Sequence, residues 1–155
     1  MELHVVAVGR IADPALRNAC AEYAARVRRV WKLAIREVRA PAGHYSPAER
    51  RRREGERLLA ALPPGSVRVA LTRLGTVETS EGLARRLAGW QAAARPVAFL
   101  IGGAEGLDQR VLQRCEFAMS LSALTFPHEL ARLILLEQLY RAITICQGSP
   151  YHRGS

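Results

Sequence analysis

Residues 95–107 read RPVAFLIGGAEGL, and the five apolar positions Val97 to Ile101 decide how the rest of the chain is parsed. An apolar run this short, bounded by a proline and by paired glycines, lacks the polar alternation of a strand with one face in water. It predicts a strand covered on both faces, which belongs in the interior of a parallel sheet with helices on either side.

The flanking sequence supplies the partners of that strand. ELHVVAV at 2–8, closed by Gly9, predicts a first strand, and Asp13-Pro14 offers an N-cap and first-turn proline for a helix to about Arg29. WKLAIREV at 31–38 predicts a second strand, and Ser46-Pro47 caps a helix to about Leu62 that PPGS at 63–66 stops. Val67 to Leu71 predicts a third strand, Gly75 a turn, and Ser80 to about Ala94 a helix. After the central run come a short helix near Gln109 to Arg114, a fifth strand in FAMSLSAL at 117–124, and a final helix from Pro127 to about Gln147. Strands alternate with helices throughout, so the fold class is α/β with a mainly parallel sheet, as one domain over 1–155 without internal repeat or linker.

A chain of 155 residues has the length for one core, and 49% hydrophobic with 24% charged residues is a globular composition. No apolar run is long enough to span a bilayer, and Glu2 and His4 interrupt the first apolar stretch, so a cytoplasmic protein without a membrane partner is expected. Cys20, Cys115 and Cys146 are odd in number and form no CxxC pair, and the four histidines are scattered, so neither a disulfide framework nor a metal site is expected. Of 23 basic residues 22 are arginine, and the net charge is +9. Codon bias explains arginine in place of lysine but not the excess of positive charge, which favours an anionic partner, nucleic acid ahead of membrane. ERRRREGER at 49–57 fits two readings, a solvated helix face and a surface that tracks phosphates.

The last helix carries Leu130, Leu133, Ile134, Leu135, Leu136, Leu139, Tyr140, Ile143 and Ile145 round most of its circumference. Such a helix is covered on several sides, either by a second subunit across a two-fold interface or entirely within one core.

The chemistry is less direct. LIGGAEGL at 100–107 has no Lys-Ser/Thr after its glycines, as a Walker loop requires, and Ile101 stands where the dinucleotide fingerprint needs glycine. Gly102, Gly103 and Gly106 still allow a sharp turn and close approach at a strand end, as a structural turn or as a ligand site. LSALTFPHE at 121–129 is a second strand-end loop of small and apolar residues with hydroxyls at Ser122 and Thr125. Together the two loops suit an apolar cleft with backbone donors and acceptors, better matched to an adenine ring than to a free phosphate. His128 at the helix start fits capping as well as binding. The tail PYHR at 150–153 sets an aromatic, an imidazole and a guanidinium side by side, where a fraying terminus usually carries small polar residues.

VAVGR at 6–10, EYAARV at 22–27, LTRLGT at 71–76, FLIGGAEGL at 99–107, SLSALTFPHELARLILLEQLYRA at 120–142 and PYHR at 150–153 together resemble the ribosomal large-subunit methyltransferase H family, a minimal SPOUT class. The resemblance runs from Met1 to Arg153. It implies an α/β domain with a C-terminal trefoil knot, which sequence physics would not suggest, and a homodimer. It implies S-adenosyl-L-methionine as methyl donor, held by Leu71, by Gly102 and Gly103, and by Leu121, Ser122, Ala123, Leu124, Thr125 and Phe126. The implied reaction is methylation at N3 of a pseudouridine in 23S rRNA within the assembled 70S ribosome, without a metal.

Methyl transfer from a sulfonium is an in-line displacement, so the protein has to align the reactants and manage the N3 proton. His152 fits a base, Arg153 a cation favouring the imide anion or clamping a phosphate, and Tyr151 a stacking surface for the base. Arg141 and His128 are further substrate-binding candidates. The family usually has aspartate after the leucine of the third strand, and this chain has Thr72. That departure keeps open an alternative, a catalytically idle RNA-binding or ribosome-assembly protein on the same fold.

Overall fold

A computed structural model describes residues 1–153, apart from the side chains of His152 and Arg153. Five strands, β1 (Glu2–Val8), β2 (Lys32–Val38), β3 (Val67–Val77), β4 (Val97–Ile101) and β5 (Phe117–Ser120), form one sheet in the order β2-β1-β4-β3-β5, and every pair is parallel. The helices are α1 (Pro14–Arg28), α2 (Pro47–Ala60), α3 (Ser80–Ala92), α4 (Gln109–Gln113) and α5 (His128–Cys146), followed by a 3₁₀ turn over Pro150–Arg153. Val97 to Ile101 are all buried, as the opening run predicted.

Successive side chains of a strand point to opposite faces, and here each face has its own core. Val5, Ala7, Phe99 and Ile101 pack with α1, α3 and α5, whereas Val6, Val8 and Leu100 pack with Leu58 of α2 and Val111 of α4. The helix starts follow the side-chain chemistry: Asp13 accepts from the Ala15 amide at 2.7 Å, Ser46 from Glu49 at 3.2 Å, Thr79 from Gly82 at 3.0 Å and Asp108 from Arg110 at 2.9 Å. Only α5 starts without a side-chain cap, at Pro127.

Two strand boundaries differ from the sequence reading. β3 does not end at Leu71: after an excursion over 72–75 it resumes pairing at Thr76 and Val77, so that Leu71 and Thr76 both face Met119. The excursion lies on β5, where a Cβ on Gly75 would stand 2.6 Å from the Met119 carbonyl carbon, so only glycine fits. β5 ends at Ser120 rather than at residue 124, because local hydrogen bonds take over. The Ser120 hydroxyl donates to the Ser122 carbonyl at 2.8 Å, and the Ser122 hydroxyl accepts from the Leu124 amide at 3.0 Å.

β5 is an edge strand, yet α5 begins on the far side of the sheet centre. Its Glu129 accepts from the Ala12 amide at 3.1 Å, and the buried Arg132 donates to the Gly9 carbonyl at 2.8 Å and pairs with Glu37 at the end of β2. Segment 121–127 therefore crosses the carboxyl ends of β3 and β4 to reach β1.

Candidate active site

Three chain segments meet at the carboxyl edge of the sheet because β4, β3 and β5 are neighbours there: the glycine turn 102–106, the excursion 72–75 and the loop 121–127. The turn closes on itself, with the Gly106 amide donating to the Gly103 carbonyl at 3.0 Å and Gly106 at φ +80°. A Cβ on Gly102 would lie 2.6 Å from both the carbonyl carbon and the oxygen of Gly106, so the closure requires glycine.

The apolar character expected of these loops is present, and much of it faces solvent. Leu121 and Leu71 pack on the core, Ser122 and Phe126 are half-buried, and Ala123, Leu124 and Thr125 are exposed. Leu74 is 86% exposed and Leu124 71%, and Val77, three residues after Leu74, is also exposed, an uncommon cost for side chains of this size. Thr72, the family's usual aspartate position, spends its hydroxyl on the local turn, accepting from the Leu74 amide at 3.4 Å. A cavity of about 500 Å³ lies at the opposite edge of the sheet, lined by Met1, Glu2, Lys32, Gln91, Arg95 and Pro96, away from these three segments.

The tail is docked, and not on these loops. Tyr151 packs edge-on against Tyr140 of α5 with centroids 4.8 Å apart, and its hydroxyl shares contacts of 3.3 Å with the Tyr23 hydroxyl and the Glu137 carboxylate. Arg141 is held by Glu137 at 2.7 Å, and its guanidinium lies over the Tyr151 ring at 5.2 Å. Burial, the Tyr23 hydroxyl and Glu137 together hold the Tyr151 phenol protonated well above its usual range. Glu137 sits nine residues along α5 from His128, about 14 Å down the helix axis. The chain thus brings together Tyr151 and Arg141, and separately His128 and the glycine turn, but it keeps the tail apart from its own loops. The side chains of His152 and Arg153 lie outside the described residues; their backbone continues the 3₁₀ turn that Tyr151 anchors.

Sequence reasoning missed three features. The tyrosine cluster that receives Tyr151 pairs residues far apart in sequence. Arg132 is among the largest fully buried side chains, and nothing in its local sequence marks it out. Most of the arginines in 49–57 are committed locally: Arg52 and Arg53 bond Glu49, whose carboxyl they hold down near about 2, and Arg50 donates to the Pro41 and Gly43 carbonyls. Arg57 donates to the Arg39 carbonyl and Arg53 lies over the Tyr45 ring. The solvated-face reading therefore accounts for much of the run. Among the described residues no group of three or more His, Cys, Asp or Glu is placed to hold a metal, and no helix is long and apolar enough to cross a membrane.

The family profile described as "Predicted SPOUT methyltransferase" matches residues 1–152. The protein named ribosomal RNA large subunit methyltransferase H of Anaeromyxobacter sp. (strain Fw109-5) is 44% identical over 153 residues, covering 99% of this chain and 100% of that one. The protein of the same name from Gluconacetobacter diazotrophicus is 45% identical over 152 residues, 98% of this chain and 97% of that one. Among solved structures, the SpoU methyltransferase AviRb from Streptomyces viridochromogenes, in complex with the cofactor AdoMet, has a TM-score of 0.47 at 18% identity, covering 90% of this chain and 57% of that one. Near-complete mutual coverage at this identity, on an all-parallel sheet with its glycine turn and docked tail, assigns the chain to the SPOUT methyltransferases and, within them, to the ribosomal RNA large subunit methyltransferase H family.

Proposed function

We propose that this single-domain chain transfers a methyl group from S-adenosyl-L-methionine to N3 of a pseudouridine in 23S rRNA of the assembled 70S ribosome, in the cytoplasm. The observation that carries the reading is the meeting of segments 72–75, 102–106 and 121–127 at one sheet edge, in a chain whose full length matches relatives named for rRNA methylation. The residues fit the donor: a turn without side chains at Gly102 and Gly103 leaves room for close approach, and Leu71, Leu121, Ala123, Leu124 and Phe126 supply apolar surface for a ring. Ser122 and Thr125 add polar groups at the same loop. The bound donor supplies an electrophilic methyl on a sulfonium.

The acceptor side follows from the tail. N3 of pseudouridine is a poor nucleophile while it carries its proton, and His152 removes that proton as N3 attacks. Arg153 offsets the charge developing on the imide. Tyr151, fixed by Tyr140, Tyr23, Glu137 and Arg141, sets where these two residues stand.

Because the tail and the loops of one chain are apart, the acting unit is a homodimer in which the tail of one subunit serves the donor site of the other. The half-exposed Leu130, Leu133 and Ile134 of α5, with exposed Leu74 and Leu124, supply an apolar surface for that interface. The crossing of 121–127 over the ends of β3 and β4 supports the trefoil knot that the family implies.

The test is transfer of a labelled methyl group from S-adenosyl-L-methionine to ribosomes lacking this modification. Label at one pseudouridine N3 is the expected result. Donor binding without transfer would favour the idle binder that Thr72 suggests, and no donor binding would defeat the reading. Within the donor site, Gly102→Ala sets a methyl group against the Gly106 backbone, and donor affinity by titration calorimetry falls at least about tenfold.

A further inference from the structure

A buried carboxylate that no step above employs lies under the glycine turn. Glu54 of α2 is 3% exposed, and its Oε2 has neither solvent nor a hydrogen-bond partner. A Cβ on Gly103 would stand 2.9 Å from both carboxylate oxygens, so the carboxylate and the turn fit together only because residue 103 has no side chain. The carboxylate lies against the Gly103 backbone, and Arg50 of α2, His128 at the start of α5 and Glu105 in the turn are its ionisable neighbours. A carboxylate oxygen buried without a partner destabilises a fold, and an apolar side chain of similar size would pack there at lower cost. Local strain of this kind is retained where it shapes a site.

We propose that Glu54 is a positioning residue for the methyl donor, its buried carboxylate packed against Gly103 and so holding the turn in its receptive shape. The proposal rests on the reading of that turn as donor site.

The test uses the full chain and the variants Glu54→Gln and Glu54→Asp, with donor affinity by calorimetry, KM for donor and for ribosomes, and the thermal midpoint. Native protein is measured first. If it fails to bind S-adenosyl-L-methionine, the donor-site reading falls before Glu54 is at issue. Glu54→Gln removes a buried charge, so the thermal midpoint holds or rises while donor affinity drops about tenfold as the turn loses the carboxylate it packs on. Glu54→Asp keeps the charge but withdraws it by one methylene, and weakens donor binding by a similar factor. In both variants KM for the donor rises and KM for ribosomes does not. Burial raises the Glu54 pKa, so the native carboxylate takes up a proton before an exposed one would as pH falls, and donor affinity declines above the ordinary carboxylate range. The Glu54→Gln profile lacks that decline. If Glu54→Gln does not fold, Gly103→Ala, which pushes the turn off the carboxylate, carries the test alongside Glu54→Asp and reproduces the loss. Donor affinity within twofold of native in the folded variants, with a lowered thermal midpoint, makes Glu54 a packing residue and overturns the proposal.

Discussion

A chain ending at Gly148 is expected to bind S-adenosyl-L-methionine with native affinity and to methylate ribosomes at least about a thousandfold more slowly, the combined scale of lost proton transfer and lost alignment. The two outcomes separate because the tail and the donor loops occupy different places. Tyr151 rests on the outer side of α1 and α5, against Tyr23, Tyr140, Glu137 and Arg141, so removing residues 149–155 exposes part of that surface and leaves both cores intact. Single-turnover transfer with saturating donor reads the effect directly. A truncated chain that still transfers within about tenfold of native would reduce the tail to packing and move the proton to water or to another group.

The second large effect is expected at Arg132. Its guanidinium is 2% exposed, donates to the Gly9 carbonyl and pairs with Glu37, while its Nε has no partner. Arg132→Met keeps the apolar volume but strands a backbone carbonyl and a carboxylate, and a loss of about 3 kcal/mol in urea-measured stability follows. Glu37→Gln is milder, about 1 kcal/mol, because the Glu37 side chain is 35% exposed and the glutamine amide oxygen still accepts from the guanidinium. Arg132→Lys recovers little, since one ammonium cannot reproduce the forked contact with two acceptors. A loss below about 1 kcal/mol for Arg132→Met would remove the guanidinium from the structural account. The donor loop should share in the damage, because Arg132 holds the first turns of α5 and the loop 121–127 leads directly into them.

These two regions also mark how far the sequence can be read. Elements specified by local signals were legible: Val97 to Ile101 by its apolar run, α1 and α2 by the Asp13-Pro14 and Ser46-Pro47 caps, β1 by its β-branched run closed by Gly9, and β2 by its alternation. Features set by distant partners were not. The return of β3 at Thr76 depends on Met119 across the sheet, and the early end of β5 depends on which hydrogen bond Ser122 makes. Among 22 arginines nothing in the sequence singles out Arg132 as the buried one, since its acceptors, Gly9 and Glu37, lie about a hundred residues away. The loops 102–106 and 121–127 were legible as small and apolar strand-end segments, but the burial of Glu54 was not, because in ERRRREGER it reads as one charge among nine residues.

The anchoring of α5 to the first strand bears on how the molecule is made. Contacts such as Ala12 with Glu129 and Gly9 with Arg132 span 117 and 123 residues, and they join the segment after β1 to the start of α5. A topology dominated by such long-range closures folds slowly, because chain entropy is lost before the contacts form. The amino-terminal half waits for α5 with the apolar face of β1 and α1 uncovered, a state open to association with other unfolded chains. Completion of the sheet, of the glycine turn's surroundings and of the tail's docking surface therefore falls after translation of the last helix. The proposed donor site is thus completed only when α5 docks on the first strand.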